Sequence, residues 1–301
     1  MKKFLSRIAV TMLAICLLGL AACGQSSGTN STSGSTSSLT DFSASLRVSF
    51  IDVGKGDCVL VQADGSAALI DTGYENTADD VLSYLQDQGV SHLSALILTH
   101  YDRDHIGGVG KIGKGMDVDA IYLPGYEGSD NNYRSCIAAV EELGVPTQKV
   151  NEEVALTVGD AHLSIFPSGV AYEPAANDDE GEGNDNDASL VTTLVYGSDS
   201  FLFAGDIEKD GIAAYLEAKH GRFDVLKLPH HGRRSSNTGD LLDDVCPKIA
   251  VITDSKKDPA NKKVLKMLKS ADVKTYRTRT KGTIVVKSNG TGTYKVSTSK
   301  G

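Results

Sequence analysis

The stretch Ala95-Leu96-Ile97-Leu98-Thr99-His100-Tyr101-Asp102-Arg103-Asp104-His105-Ile106-Gly107-Gly108 decides how this chain is read. Its apolar start has the character of a strand buried on both faces. The strand delivers His100, Asp102, Asp104 and His105, four potential metal ligands within six residues. Gly107 and Gly108 then let the backbone turn tightly into a helix. Imidazoles and carboxylates at such density are costly to bring together unless a cation compensates their charge and desolvation. A polar turn with hydrogen-bonded histidines is the plainer reading of the same residues, and the crowding of ligand types argues against it.

Outward from this segment, runs rich in Val, Ile, Leu and Phe mark strands at Leu46–Val53, Cys58–Gln62, Ala67–Ile70 and Leu93–Leu98. Helical spacing over Ala78–Gln88 puts Val81, Leu82 and Leu85 on one side, with Thr77 placed to cap the start. Further helices fit Asn131–Leu143, Ile207–His220, Gly239–Val245 and Pro259–Ser270. Between them, strands are predicted at Ala120–Leu123, Leu163–Phe166, Leu190–Tyr196, Phe201–Phe203, Val225–Leu228, Ile249–Ile252 and Thr283–Val286. Hairpins early in each half, followed by alternating strands and helices, predict two sheets face to face with helices outside, a layered α/β architecture. The acidic stretch Ala175–Asp187 is too polar to pack and reads as a mobile loop.

The start of the chain is different in kind. Lys2, Lys3 and Arg7 precede an apolar run from Ile8 to Leu20 that is too short to remain as a membrane span, so residues 1–22 read as an export signal. Leu20-Ala21-Ala22-Cys23 resembles the lipobox of bacterial lipoproteins. That resemblance implies cleavage before Cys23, a lipid on its sulfur and an extracytoplasmic protein anchored to the membrane. Residues 23–45, rich in Ser, Thr and Gly with almost nothing to bury, read as a flexible tether, and the folded domain is expected to cover 46–301.

With 40% hydrophobic and 23% charged residues the chain can bury a core. Loss of Lys2, Lys3 and Arg7 with the signal takes the formal charge from -9 to -12, which argues against a broad, nonspecific grip on DNA. Charge is uneven: Lys256–Lys287 holds eleven Lys or Arg against two Asp, and Glu173–Asp187 holds seven acidic residues and no basic one. Solvated surfaces are the simplest account of both. Cys58, Cys136 and Cys246 sit beside apolar residues without Cys-x-x-Cys spacing and read as small buried side chains with no redox or metal role.

The segment around His100 resembles the His-x-His-x-Asp-His signature of the metallo-β-lactamase superfamily, with Asp102 where a second histidine is more usual. That variant is similar to the hydrolase domain of ComEC-type DNA-uptake proteins. The similarity extends to Phe50-Ile-Asp-Val-Gly-Lys-Gly-Asp57, Leu69-Ile-Asp-Thr-Gly73, Asn186-Asp-Ala-Ser-Leu190, Phe203-Ala-Gly-Asp-Ile207 and Leu228-Pro-His-His-Gly232. It covers about residues 48–290 and implies an αββα four-layer sandwich holding two divalent metal ions, Zn or Mn.

Carried over by residue, the resemblance implies that His100 and Asp102 bind one metal and Asp104 and His105 the other. Asp206 would bridge both, because each carboxylate oxygen can face a different cation; alone, it would read as a helix cap. His231 is preferred over His230 as a further ligand, since it directly precedes Gly232, and His230 would orient it, contact substrate or donate a proton to the leaving group. Asn186 or Asp187 stands where many relatives offer a histidine, so Asp187 is a candidate ligand of the first metal. Asp71 and Asp57 are expected to accept hydrogen bonds from ligand histidines or loop amides, although Asp57 reads equally well as a turn residue. Tyr101, Arg103, Arg233, Arg234 and Ser235 are candidate substrate contacts. Asp104, Asp206 and His230 carry the expected catalysis.

Two such cations would lower the pKa of a shared water towards ~7 and stabilise charge on an attacked phosphate, so a phosphodiester hydrolase is expected, with DNA among the candidate substrates. A phosphorylated wall polymer, phosphorylcholine or a lactone are alternatives, as is a noncatalytic, metal-holding surface protein that binds DNA or a wall polymer through Lys256–Lys287. One departure weakens the DNA reading: Asp258-Pro259 stands where ComEC-like sequences tend to have His-Pro. No protein partner is expected.

Overall fold

The structure is a computed structural model that describes residues 45–174, 183–219 and 221–301. The expected export signal, the expected lipid site Cys23, the expected tether up to residue 44 and residues 175–182 of the acidic loop lie outside the described residues.

Two mixed sheets form the centre. The first runs, in spatial order, Tyr294–Thr298, Ile284–Ser288, Leu46–Phe50, Val59–Ala63, Ser66–Ile70, Ala95–Ile97, Ile121–Pro124 and Thr147–Val150. Its hairpin side is antiparallel, and the strands from Ser66–Ile70 onward are parallel. The second runs Lys274–Arg277, Ile249–Ile252, Val225–Lys227, Asp199–Phe203, Leu190–Tyr196, Ala161–Pro167 and Val154–Val158. Here the first four strands are parallel and the last three are joined antiparallel to them.

Strand alternation sorts the side chains into layers. Val59 and Val61 face inward with Val48, Phe50, Leu163, Ile165, Phe201 and Val225, forming the core between the sheets. Leu60, Leu69 and Leu96 face the other way, onto helices Ala78–Asp87, Val109–Gly115 and Asn131–Leu143. The outer face of the second sheet carries Leu202, Leu226 and Ala250 against helices Lys209–Ala218, Thr238–Val245 and Lys262–Ser270. Each fully buried Leu or Phe in these layers contributes roughly 1.5–3 kcal/mol, which is why the central strands are apolar on both faces. The four-layer αββα sandwich implied by the sequence is the architecture observed. Among the described residues, no helix is long and apolar enough to cross a membrane.

Several local expectations are corrected. The Thr77 hydroxyl donates to the carbonyl of Tyr74 at 2.9 Å and does not cap the helix that follows. The helix predicted from Pro259 begins at Lys262, where the side chain of Asn261 accepts from the Lys263 amide at 2.9 Å. Cys246 is exposed, because it occupies the left-handed position that ends helix Thr238–Val245. The last residues of the acidic loop are ordered: Asn184 accepts from the Glu173 amide at 2.6 Å and donates to the Ala171 carbonyl at 2.9 Å.

One loop brings the first sheet to the chemistry. Between Ile51 and Asp57 the chain folds back on itself, and Gly56 takes φ +145° with its Cα against the carbonyl of Asp104. A Cβ there would lie 2.5 Å from that oxygen in a backbone conformation closed to other residues. Gly56→Ala is therefore expected to cost about 2–4 kcal/mol and to lower Tm by ~5–15 °C. A thermal melt unchanged from the parent would show that the loop relaxes freely.

Candidate metal centre

Three chain turns at one end of the sheets build the site. After strand Ala95–Ile97 the backbone bends at His100 and Tyr101, is extended at Asp102 (φ -67°, ψ 139°) and then enters the short helix Arg103–Ile106. His100 and Asp102 come from this bend, and Asp104 and His105 from the first helical turn. Asp206 follows strand Asp199–Phe203, and His231 comes from the tight turn Pro229–Gly232. His230 and His231 both have positive φ, 45° and 52°. Each such residue costs of order 1–3 kcal/mol, and the turn removes the strand alternation that would otherwise set their directions. His231 enters the cage, and His230 Nδ1 lies 2.5 Å from Glu208 Oε1.

The donor atoms converge. His231 Nε2 is 3.0 Å from Asp206 Oδ2, 3.4 Å from Asp104 Oδ2 and 3.3 Å from His105 Nε2. His105 Nε2 is 3.3 Å from the same Asp206 Oδ2, and the His100 ring lies 4.1 Å from the His105 ring. Two triplets, His100-His105-Asp206 and Asp104-His105-His231, each place their ligand atoms within 4.8 Å of one another, and all five residues are buried. Asp102 stands at the edge, its Oδ2 3.6 Å from His100 Nε2.

The opposite nitrogens of the histidines are tied down. His105 Nδ1 donates to Asp71 Oδ2 at 2.7 Å. The Thr99 hydroxyl donates to Asp71 Oδ2 at 2.8 Å, so its oxygen is left to accept from His100 Nδ1 at 3.1 Å. Thr253 repeats this device, donating to Asp57 Oδ1 at 2.6 Å and accepting from His231 Nδ1 at 3.1 Å. A hydroxyl has one proton to give, and in both cases a carboxylate takes it. The hydrogen-bond network thus assigns a proton to Nδ1 in all three rings and turns their Nε2 atoms into the buried cage, where a cation would take their lone pairs. His100 Nε2 is buried without a hydrogen-bond partner among the described residues. This donor set of imidazole nitrogens and carboxylate oxygens suits divalent metal ions.

Without a cation, the surrounding carboxylates favour a second proton on the imidazoles. Burial disfavours the charged form of His105, yet Asp206 and Asp71 outweigh it and hold its pKa well above the ordinary histidine value. His231 is raised against burial chiefly by Asp206. Burial works against the ionised Asp206, which His231, His105 and Lys227 nevertheless hold well below the usual carboxylate range. Lys55, 2.9 Å from Asp104 Oδ2, adds a positive charge at the rim.

Thr253→Val keeps the shape and removes the hydroxyl that fixes His231. It is expected to weaken metal affinity by ~10–100-fold with little loss of stability, as measured by titrating EDTA-treated protein with Mn²⁺. Parent-like affinity would show that His231 holds its orientation without Thr253.

Of the other residues singled out from sequence, Asp71 and Asp57 lie behind the cage as the acceptors just described. Asp187 does not reach it. Its Oδ1 accepts from the Glu208 and Gly211 amides at 2.7 Å each, at the start of helix Lys209–Ala218. Asp185 instead lies close enough to Asp102 and His100 to sense them: burial, opposed by His100 and reinforced by Asp102, pushes its carboxyl up to about 7. Tyr101 is also corrected. It is 2% exposed, wedged edge-on between Tyr126 and Tyr133, with its hydroxyl on the carbonyl of Pro124 at 3.3 Å, so it packs and cannot meet substrate.

Arg103 is exposed over the ring of Tyr74, beside a cleft of about 850 Å³. Arg233 and Arg234 are exposed near His230, with Arg233 3.0 Å from Asp258. Ser235 accepts from the Asn237 amide at 3.3 Å in the turn that starts the next helix. Asp206 uses its two oxygens differently from the bridging expected of it: only Oδ2 faces the histidines, and Oδ1 lies 3.4 Å from Lys227 Nζ. Lys227, Thr99, Thr253 and Asp185 were not singled out from sequence. A lysine inside the apolar run Val225–Leu228 was the available signal for the first.

Comparison with known proteins follows this geometry. The family model described as Metallo-beta-lactamase superfamily matches residues 51–252. ComE operon protein 3 of Bacillus subtilis is 29% identical over 272 residues, 83% of this chain and 34% of that protein. Recombination protein 2 of Haemophilus influenzae is 28% identical over 218 residues, 71% of this chain and 25% of that protein. The chain thus spans about a third or less of the length of these curated relatives. CmlA, a diiron beta-hydroxylase from Streptomyces venezuelae, matches in structure with a TM-score of 0.51 at 13% identity, over 81% of this chain and 54% of its own, a likeness of fold alone. The resemblance to ComEC-type competence proteins read from the motifs is borne out over the folded part. The matched region contains His100, Asp102, Asp104, His105, Asp206 and His231, and the chain belongs to the metallo-beta-lactamase superfamily, whose members are metal-dependent hydrolases.

Proposed function

We propose that this chain is an extracytoplasmic hydrolase that cleaves phosphodiester bonds with two divalent ions, Zn or Mn, and is held at the membrane by a lipid on Cys23. The observation that carries the reading is the set of three histidines whose Nδ1 protons are fixed by Asp71, Thr99 and Thr253, so that the Nε2 atoms of His105 and His231 meet Asp206 and that of His100 turns towards Asp102. His100 and Asp102, with Asp185 beside them, would hold one ion; Asp104, His105 and His231 the other; Asp206 would be shared. Such ions supply a water acidified towards ~7 and positive charge for the phosphate oxygens. The chain's own residues then orient the reacting groups. Lys55 and the exposed Arg103, Arg233 and Arg234 are placed to steer an anion to the rim, and His230, beside Glu208, is placed to give a proton to the leaving oxygen.

The test is elemental analysis of the purified chain together with a substrate panel. About two metal ions per chain and hydrolysis of bis-p-nitrophenyl phosphate and linear DNA are expected. Turnover of a phosphorylcholine ester or a lactone with none of either diester would replace the substrate class. Metal binding without turnover of any substrate would make the chain a holder and not an enzyme.

A specific surface favours a polymeric phosphodiester. Lys256, Lys257, Lys262, Lys263, Lys266 and Lys269 are all exposed, on and just before helix Lys262–Ser270, in a chain of net charge -9. Replacing Lys262, Lys263, Lys266 and Lys269 by Ser is expected to weaken binding of long DNA ~10-fold or more and to flatten its salt dependence, with the small diester unaffected. An unchanged salt slope would leave the stripe as plain solvated surface.

A further inference from the structure

Lys227 stands in an otherwise apolar strand and is 1% exposed. Its neighbour Leu226 packs on the helix side and Val225 between the sheets, so alternation sends Lys227 inward. Its Nζ ends at the carbonyl of Gly205 at 3.0 Å, in an ion pair with Asp57 and 3.4 Å from Asp206 Oδ1. A buried ammonium costs several kcal/mol in desolvation and persists only where its partners are well placed. Asp57 alone would meet that need. The nearness of Asp206 is the further fact, because it separates that carboxylate's two oxygens: Oδ1 towards Lys227, Oδ2 towards His105 and His231.

The geometry points to Lys227 as a positioning residue for the metal centre. By holding Asp206 Oδ1 it leaves Oδ2 as the ligand atom, and through Asp57 and Thr253 it fixes His231. This rests on the reading of Asp206 and His231 as ligands. A lysine that only neutralised Asp57 would make the same ion pair and have no hold on metal affinity once Asp57 was neutral too, so the two roles separate in a double-mutant cycle.

The experiment titrates Mn²⁺ into the EDTA-treated full chain, for the parent, Lys227→Met, Asp57→Asn, the double variant and Asp206→Asn. Lys227→Met is expected to weaken Mn²⁺ binding by ~10–100-fold, and the double variant to bind no better than Lys227→Met. Parent-like affinity in Lys227→Met overturns the proposal, as does a double variant that binds Mn²⁺ more tightly than Lys227→Met. Should Lys227→Met fail to fold for want of a partner for Asp57, the double variant lacks both buried charges and is compared with Asp57→Asn by itself. Asp206→Asn tells the two layers of argument apart. Parent-like Mn²⁺ affinity there rejects the metal site as read, whereas loss there without loss in Lys227→Met rejects only the role of Lys227.

Discussion

Asp206→Asn is expected to lower turnover of an activated phosphodiester by at least ~10³-fold, about 4 kcal/mol of transition-state stabilisation, while the protein still melts cooperatively. Asp206 Oδ2 lies 3.0 Å from His231 Nε2 and 3.3 Å from His105 Nε2, so both halves of the cage share it. An amide there loses the negative charge and offers N–H groups where a lone pair is needed. The fold has less to lose, because the amide oxygen still faces Lys227, which keeps Asp57 as its ion-pair partner. Full activity in this variant, with metal content equal to the parent's, would remove Asp206 from the chemistry.

What was legible in the sequence had a chemical type that stands out. His100, Asp102, Asp104 and His105 announce themselves because charged and imidazole groups rarely crowd the end of a buried strand. Tyr101, read as a substrate contact through its position between two of them, could have been excluded by the same pattern. The strand character of the preceding residues, carried on by alternation, would send Tyr101 away from His100, and the structure has it in the helix layer although the chain bends at both residues. Asp185 and Asp187 could not be told apart from sequence: they are identical and two residues apart, and which enters the site depends on how the loop turns. The turn directs Asp187 to the amides of Glu208 and Gly211.

Hydroxyl donors such as Thr99 and Thr253 were invisible for a related reason. Threonine is a common strand residue, and only the placement of Asp71 and Asp57 shows that its single proton is already given away. Strands Lys274–Arg277 and Tyr294–Thr298 escaped for want of apolar runs: they are sheet edges with one face in water, so their alternation carries polar side chains.

Stripped of metal, the protein is expected to lose stability as pH rises from about 6 to 9, and the metal-loaded protein is not. His105 carries the largest part. Burial opposes its protonation, but Asp206 and Asp71 prevail, so its folded-state pKa lies well above the unfolded value of about 6.5. A raised pKa means that the folded state binds the proton more tightly, so the stabilisation is complete below about pH 6.5 and is lost as pH climbs through the folded value. His231 and His100, both raised against burial, act in the same direction. The depressed carboxyls of Asp206 and Asp104 act oppositely and at lower pH: their contribution is present above about pH 4 and disappears as pH falls further. Metal-free protein should therefore be most stable between these limits, in mildly acidic solution. Bound cations need the neutral imidazoles that acid removes, so metal binding competes with protons and strengthens as pH rises. The gap in Tm between loaded and EDTA-treated protein should consequently widen with pH, by several degrees or more at ~2–4 °C per kcal/mol for a domain of this size. A metal-free Tm that is flat or rises from pH 6 to 9 would mean that His105 is not charged in the empty cage, and that Asp71 and Asp206 hold it by geometry alone.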